Sequence, residues 1–453
     1  MTSYSILCHN IDNAQIFRTR EMYIVFNCEI SYTDKMSFPN VVILNDYGQV
    51  NGGTSQVAIT TALILADKGF RVYFFCAVPP IDFRLQNHTN IRVICTEQPD
   101  ILTNPNRIQA AAQGLWNFTS AEVMRKLLST LAGEDTIVHI HGWTKALSHS
   151  PIFVAIKARF PVLITIHDYF LACPNGGFYN FPQDNICNLK ALSPRCILTH
   201  CDSRSYPQKI WRVARAIIQK KVALMPSGIH DFITLSNLSC EIVKPYLHEN
   251  AHIYLLPNPI ETEKLDRVEV EKNHKYFAVG RLSPEKGMDL FARAALERGV
   301  ETVFAGDGPL MERLEKINPN AQFLGWLPRS ELIKSMRDAR ALVFCSKLYE
   351  THGMVLAEAA SMGIPSIVSN VTAGKELILD NETGLLFHSN DQADLMAKIQ
   401  KLQDDTTVRN LSCNVYKQFW RNPPILENYS NNLEIIYSKI LKTNVKPSSQ
   451  RRR

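Results

Sequence analysis

The chain repeats one pattern of apolar and polar positions: a short apolar run, a loop, and a stretch with apolar residues at helical spacing. The first example starts at the apolar run 41–45, continues through Gly52 and Gly53, and ends on a helical pattern up to Ala66. Later apolar runs end on a polar residue, at 137–141, 162–167 and 232–236. Such runs are typical of a parallel sheet buried on both faces. We predict a Rossmann-like domain over residues 39–255.

A second series of apolar runs predicts a second domain over residues 256–425. Its runs lie at 276–279, 302–305, 322–324, 341–345 and 366–369. A final amphipathic stretch predicts a helix at 426–444, and we expect the basic tail 445–453 to be disordered. Residues 1–38 show no convincing periodicity and form an extension of unknown role. The fold class is therefore α/β, with two doubly wound domains whose ligands bind in the cleft between them.

Composition excludes several classes of protein. The chain has 453 residues, 45% of them hydrophobic, and its formal charge of +6 is not gathered into aromatic-interleaved basic stripes, so we expect no nucleic-acid partner. It has no uninterrupted apolar run of about 18 residues and no N-terminal leader pattern, which predicts a cytoplasmic protein. No Gly-x-Gly-x-x-Gly follows the first strand with an acidic partner, which disfavours a dehydrogenase.

Two carboxylates eight positions apart, Glu350 and Glu358, are the strongest chemical signal. They follow the run 341–345, and Gly353 between them permits a tight loop at the start of a helix. The backbone N–H groups at Gly353, Met354 and Val355 can face phosphate or sugar oxygens there. Glu358 would accept both hydrogen bonds of a ribose diol. The alternative is that Glu358 only favours its helix and that Glu350 is solvated.

Two cations, Arg281 and Lys286, follow the run 276–279 at the start of another predicted helix. A guanidinium and an ammonium at this place neutralise a diphosphate and stabilise its departure without a metal ion. In the other domain, Gly52 and Gly53 let the first loop approach a ligand closely. His167 ends a strand on the cleft side and is a catalytic candidate, whereas His141, in an equivalent position, is more readily explained as structural.

These residues together resemble family 4 of the retaining glycosyltransferases, known as glycosyl transferases group 1, which have the GT-B fold. The match includes Asn258-Pro259, Gly306 to Pro309 and Gly374 to Glu376. The resemblance implies that Arg281 and Lys286 hold the nucleotide diphosphate, Glu358 the ribose and Glu350 the sugar of the donor. It also implies that His167 lies near that sugar and assists bond cleavage.

The resemblance further implies transfer, with retention of configuration and without a metal cofactor, from a UDP- or GDP-sugar to a glycan or a lipid-linked glycan, as in cell-surface polysaccharide synthesis. Thr351 and His352 depart from the family, which commonly has Pro and Phe there, and His352 leaves the identity of the sugar open. The alternatives are a nucleotide-sugar epimerase or hydrolase on the same fold and a non-catalytic nucleotide-sugar-binding subunit.

Four cysteines crowd into an insertion at about residues 170–207: Cys173, Cys187, Cys196 and Cys201. Their thiolates could hold one structural zinc ion, although their spacing has no Cys-x-x-Cys pair. Disulfide bonds and free thiols are the alternatives. A reducing compartment disfavours the disulfides.

The segment 209–221 combines apolar residues at helical spacing with five cations and no acid. The cations are Lys209, Arg212, Arg215, Lys220 and Lys221. Such a helix could contact an anionic membrane at its inner face and bring the cleft to a lipid-linked acceptor. The alternative is an ordinary helix whose apolar stripe packs on the sheet and whose basic face is solvated.

Overall fold

The computed structural model describes residues 38–444 and, before them, three short strands within 7–25. The predicted disordered tail 445–453 lies outside the described residues. A ten-stranded sheet and a separate two-stranded hairpin precede residue 256. Their strands are β1 (Leu7–Ile11), β2 (Ala14–Thr19), β3 (Met22–Val25), β4 (Asn40–Leu44), β5 (Arg71–Cys76), β6 (Ile91–Cys95), β7 (Thr136–Ile140), β8 (Val162–Ile166), β9 (Tyr179–Asn180), β10 (Asn185–Ile186), β11 (Asp231–Thr234) and β12 (His252–Leu255).

The order in the large sheet is β1-β2-β3-β12-β11-β8-β7-β4-β5-β6, and β9 pairs with β10 in the hairpin. Every pair in the large sheet is parallel except those that involve β2. A second sheet of six parallel strands has the order β15-β14-β13-β16-β17-β18. Its strands are β13 (Lys275–Val279), β14 (Glu301–Ala305), β15 (Gln322–Phe323), β16 (Ala339–Phe344), β17 (Ser366–Ser369) and β18 (Leu385–Phe387). The predicted α/β class with two Rossmann-like sheets is confirmed.

Helices cover these sheets. They are α1 (Gly53–Asp67), α2 (Phe83–Gln86), α3 (Arg107–Leu115), α4 (Phe118–Leu128), α5 (Ser150–Lys157), α6 (Pro194–Leu198), α7 (Tyr206–Lys221), α8 (Asn237–Val243), α9 (Met288–Arg298), α10 (Met311–Ile317), α11 (Arg329–Met336), α12 (Met354–Ser361), α13 (Gln392–Lys401), α14 (Asp405–Phe419) and α15 (Leu426–Asn444).

The last helix, α15, joins the core of the N-terminal domain. Leu433 and Ile436 are fully buried in the same apolar cluster as Val41 of β4 and Ala62 of α1. Burying such side chains is worth about 1.5 to 3 kcal/mol each. The C-terminal helix therefore connects the second domain back to the first.

Three short strands lie within the N-terminal extension, where the sequence predicts none. Strands β1, β2 and β3 extend the large sheet beyond β12, although no apolar periodicity marks them. Pairing at a sheet edge uses backbone N–H and C=O groups, which every sequence supplies. Such strands therefore escape a search for apolar patterns.

Candidate active site

Glycines let three loops of the second sheet approach one another at the carboxyl ends of their strands. A Cβ atom on Gly306 would lie 2.0 Å from the carbonyl oxygen of Gly280, and one on Gly287 would lie 2.1 Å from that of Cys345. Both glycines also have positive φ, +140° and +67°. The sequence therefore folds locally in this way only with glycine at these positions.

Lys286 and Glu350 meet where these loops converge. The ammonium of Lys286 forms a salt bridge with Oε1 of Glu350, and the hydroxyl of Ser346 donates to the same oxygen at 2.8 Å. Lys286 ends the short 3₁₀ turn Pro284–Lys286, and Glu350 lies six residues beyond the end of β16. The structure thus brings two predicted site residues together. Arg281 is exposed and takes no part in this ion pair.

Glu358 is buried in α12 and forms an ion pair with Arg329, the first residue of α11. Nε of Arg329 lies 2.8 Å from Oε1 of Glu358. Burial raises the pKa of Glu358, and the Arg329 guanidinium opposes that shift. Sequence reasoning missed Arg329, because no local motif marks a cation that lies 29 residues before its partner.

Two helix N-termini face each other across the cleft. A Cβ atom on Gly53, the first residue of α1, would lie 3.8 Å from the sulfur of Met354, the first residue of α12. Gly52 and Gly353 are the N-cap residues, and neither helix has a side-chain cap among the described residues. Both helices therefore keep first-turn N–H groups available for an anion. Val355, half-buried, is the second residue of α12.

His141 and His167 contact each other at the ends of β7 and β8. Nδ1 of His141 lies 3.0 Å from Nε2 of His167, and their rings stack. Burial, with a contribution from His352, lowers the pKa of His167 to about 3. Burial also lowers the pKa of His352 to about 4 and that of His141 well below its usual value. All three imidazoles are therefore neutral at pH 7.

The two residues that depart from the family pattern both lie beside His167. The hydroxyl of Thr351 donates to the backbone carbonyl of His167 at 2.9 Å. The buried Nδ1 of His352 has no hydrogen-bond partner among the described residues. The sequence indicated only that His352 would alter the sugar pocket, whereas the structure assigns Thr351 a contact between the domains.

Further polar contacts join the domains around the cleft. The carboxylate of Glu376 accepts from the backbone N–H groups of Asn237 and Leu238 at the start of α8, at 2.9 and 2.6 Å. Lys347 forms a salt bridge with Asp184 at 2.7 Å. These contacts hold the second domain against the loops of the first.

The four cysteines of the insertion form no disulfide bond in the structure, and two of them contact a buried lysine. Nζ of Lys209 lies 3.2 Å from Sγ of Cys201 and 3.8 Å from Sγ of Cys196. Three backbone N–H groups, of residues 175, 176 and 178, point to the sulfur of Cys173. Within residues 38–444 and the three early strands, no group of three or more His, Cys, Asp or Glu is arranged to hold a metal ion. Zinc at Cys173, Cys187, Cys196 and Cys201 stays a prediction, which elemental analysis can test.

The orientation of α7 differs from the sequence prediction. Lys209 is fully buried and Arg215 is 7% exposed, whereas Ile210 and Ile217 of the expected apolar stripe are 42% and 44% exposed. The prediction of a solvated basic face over a buried apolar stripe is therefore wrong for these residues. The physical reason is that a neighbouring cavity and the cysteine cluster lie under the cations.

Comparison with known proteins identifies the class. The chain has the GT-B fold: sucrose-phosphate synthase from Thermosynechococcus elongatus aligns with a TM-score of 0.65 at 18% identity, over 90% of this chain and all of that one. HepE of Anabaena, solved with UDP and glucose, aligns with a TM-score of 0.60 at 15% identity, over 88% of this chain and all of that one.

The similarity to glycosyl transferases group 1 is also confirmed, because residues 260–418 match that family. Glycogen synthase of Mycobacterium tuberculosis is 25% identical over 334 residues, which are 68% of this chain and 73% of the relative. A galactosyltransferase of Escherichia coli that acts on a GlcNAc-diphosphoundecaprenol is 29% identical over 209 residues, 40% of this chain and 53% of that protein. No described helix is both long and apolar enough to cross a bilayer.

Proposed function

We propose that this chain is a retaining, metal-independent glycosyltransferase that moves a sugar from a nucleoside diphosphate sugar to a glycan acceptor. The observation that carries the proposal is the cleft formed by the N-termini of α1 and α12 beside Lys286. Gly353, the N-cap residue of α12, lies three residues after Glu350, the salt-bridge partner of Lys286. Helix N–H groups and an ammonium together favour a diphosphate.

Each residue at the cleft has a role in this proposal. Lys286 and Arg281 neutralise the diphosphate as it leaves, a task for which other enzymes use magnesium. Glu358 accepts hydrogen bonds from the ribose, with Arg329 holding its carboxylate in place. Glu350 exchanges Lys286 for a hydroxyl of the sugar when the donor binds. His167 acts as a neutral imidazole that hydrogen-bonds the sugar, because its low pKa means that it is not an imidazolium and cannot serve as a general acid at pH 7.

Retention follows in this proposal from attack on the same face from which the diphosphate departs. A departing phosphate oxygen is then near enough to take the proton of the acceptor hydroxyl. The similarity to family 4 supports this course. No protein nucleophile is required, since the leaving-group clamp supplies the stabilisation.

The relatives support a choice of substrates. HepE binds UDP and glucose, which favours a UDP-sugar, whereas a mycobacterial GDP-mannose-dependent mannosyltransferase, 34% identical over 108 residues, keeps GDP-sugars open. The galactosyltransferase of Escherichia coli and an N-acetylgalactosaminyltransferase of Campylobacter jejuni act on undecaprenol-linked glycans. We therefore infer a lipid-linked glycan acceptor and a role in cell-surface polysaccharide synthesis.

From such an acceptor we infer that the enzyme works at the inner face of the membrane. We infer a peripheral contact through the outer face of α7, which exposes Ile210 and Ile217 and ends on Lys220 and Lys221. Each cation near an anionic surface adds about 1 kcal/mol. Sedimentation with anionic vesicles at low salt, and its loss in a Lys220→Gln, Lys221→Gln variant, tests this contact.

A binding and transfer experiment tests the proposal. Thermal shift against UDP-, GDP- and ADP-sugars identifies the donor, because a ligand at a hundredfold excess over its Kd stabilises by about 3 kcal/mol. The donor is then incubated with a lipid-diphosphate-linked sugar in EDTA, and the new anomeric bond is assigned by NMR. Transfer with the donor's configuration supports the proposal. An altered free sugar without acceptor supports an epimerase or hydrolase instead, and binding without turnover supports a non-catalytic subunit.

A further inference from the structure

The N-terminal domain contains a cationic cavity. None of the roles proposed above for the cleft residues involves this cavity. It has a volume of about 130 Å³ and lies between α7, the start of α3 and the loops that follow β6, β7 and β8. Five of its lining residues are cations: Arg107, Lys145, Arg204, Arg212 and Arg215. Among the described residues that line it, none is acidic.

The cations of this cavity form few salt bridges with the protein, although the carboxylates of Asp46 and Asp168 attract Lys145 and Arg215 electrostatically. Arg212 forms a salt bridge with Asp202 at 2.9 Å, but the salt bridges of the described residues include none for Lys145 or Arg215. Burial lowers the pKa of Lys145 and that of Arg215, the latter to about 10, and in both cases the charge of Arg212 lowers it further. Burying like charges close together is unfavourable, so an anion that binds between them stabilises the charged forms.

The arginines of the cavity are held in place before any ligand arrives. The guanidinium of Arg215 donates to the backbone carbonyl of Thr144 at 3.0 Å. It also lies over the rings of Phe170 and Trp211, at 4.9 and 5.1 Å from their centres. Arg212 donates to the side-chain oxygen of Asn175 at 2.5 Å. Planar guanidinium groups fixed in this way match phosphate oxygens in two-pronged hydrogen bonds.

The cavity adjoins the catalytic cleft. Lys145 follows His141 by four residues in the loop after β7, and Phe170 follows His167 by three residues after β8. Asp168, next to His167, interacts electrostatically with both Lys145 and Arg215. A group bound in the cavity would therefore lie on the acceptor side of the two histidines.

Exposed apolar side chains flank the cavity. Leu102 lines it and is 44% exposed, Ile108 follows the lining residue Arg107 and is 84% exposed, and Ile210 precedes Trp211. A ligand with an anionic group and a hydrocarbon chain would satisfy both surfaces. An acidic peptide would leave the apolar side chains without a partner.

We propose that this cavity binds the phosphate or diphosphate group of the acceptor and that the flanking apolar residues contact its hydrocarbon chain. The inference rests on the proposed function, since it assigns the acceptor of that reaction. Anion binding by the cavity can nevertheless be measured without any sugar transfer.

Calorimetry with the full chain saturated with UDP tests the proposal, because UDP occupies the donor site. Inorganic pyrophosphate should then bind one further site, at least tenfold more weakly in an Arg212→Gln, Arg215→Gln variant. The matched control is Arg125→Gln, Lys126→Gln, which removes two exposed cations of α4 in the same domain and should bind unchanged. Farnesyl diphosphate binding more tightly than pyrophosphate identifies a lipid as the source of the phosphate. Equal binding would overturn the contact with a hydrocarbon chain and would identify a water-soluble phosphate ester as the source of the phosphate.

A second variant guards against misfolding, since Arg215 is buried. Arg204 is exposed and lines the cavity, so Arg204→Gln should fold normally and weaken pyrophosphate binding about threefold or more. The proposal is overturned if the UDP-saturated chain binds no pyrophosphate, or if neither variant changes that binding. Absence of UDP binding would instead overturn the proposed function. In that case pyrophosphate binding would be compared between the wild type and a Lys286→Ala variant, which lacks the ammonium of the other proposed anion site.

Discussion

The two halves of the molecule carry their charges in different ways. In the C-terminal half, Lys286 pairs with Glu350 and Arg329 pairs with Glu358, whereas the exposed Arg281 has no salt bridge among the described residues. In the N-terminal half, Lys145 and Arg215 have no salt bridge among the described residues. In a site of paired charges, a ligand can replace one member of a salt bridge when it binds. Buried cations without a salt bridge instead favour a ligand that carries negative charge.

The two halves also differ in how far short sequence motifs predict their sites. The proposed nucleotide side is built from short motifs at strand ends, and residues 260–418 match a known family. The proposed acceptor side is assembled from loops and two helices, α3 and α7, over residues 101–215.

Lys286→Ala should have the largest effect. If the ammonium stabilises the leaving diphosphate as proposed, its loss should lower kcat/KM by about 10² to 10³, with little change in melting temperature. Steady-state kinetics and thermal unfolding measure the two effects, and Lys316→Ala on the exposed side of α10 is the control. A variant that unfolds but keeps its specific activity would show that Lys286 is structural.

Glu358→Gln should weaken binding of the sugar donor about 10- to 100-fold, because charge-assisted hydrogen bonds to the ribose are worth about 1.5 to 3 kcal/mol. Calorimetry with the UDP-sugar measures the change. Glu261→Gln is the matched control, since Glu261 pairs with the same Arg329 at 3.4 Å but is exposed. Equal affinity of the wild type and the Glu358→Gln variant for the donor would show that Glu358 does not bind the ribose.

Stability should fall as the pH falls below about 6.5. The pKa values of His139 and His167 are lowered to about 3 and that of His352 to about 4, in each case mainly by burial. Between these values and 6.5 the unfolded chain binds protons that the folded chain does not, so stability present above pH 6.5 is lost on acidification.

Each such imidazole contributes at most about 1.4 kcal/mol per pH unit in that window. Denaturant unfolding at pH 7 and pH 5 measures the loss, and His352→Gln should reduce it. His388→Gln is the control, because the side chain of His388 is 78% exposed. A stability that stays constant down to pH 5 would contradict burial of these neutral rings.

Thr351→Val should have the smallest effect, about a two- to fivefold decrease in kcat/KM. It removes one hydrogen bond between the domains, worth about 1 kcal/mol, from the carbonyl of His167. Thr351→Ser retains the hydroxyl and should restore activity. If Val and Ser behave alike in steady-state assays, the hydroxyl does not position His167.

The fold class and the elements that carry the proposed donor site could be predicted from the sequence. The predicted strands 41–45 and 366–369 correspond to β4 at Asn40–Leu44 and β17 at Ser366–Ser369. Apolar runs, glycines and strand-end charges suffice here, because a parallel sheet buries whole strands and places their carboxyl ends at one edge.

The partners of those residues depend on the tertiary structure and could not be predicted from the sequence. Two of these contacts join segments far apart in the chain: Arg329 with Glu358, and Thr351 with the backbone of His167. The burial of Lys209 and Arg215 in α7 is instead the reverse of what the local pattern predicts. Helical periodicity predicts a buried apolar stripe because most helices pack on an apolar core. Around α7 the neighbours are thiols, backbone carbonyls and aromatic rings, which accept cations, so the fold buried its lysine and arginine and left two isoleucines exposed.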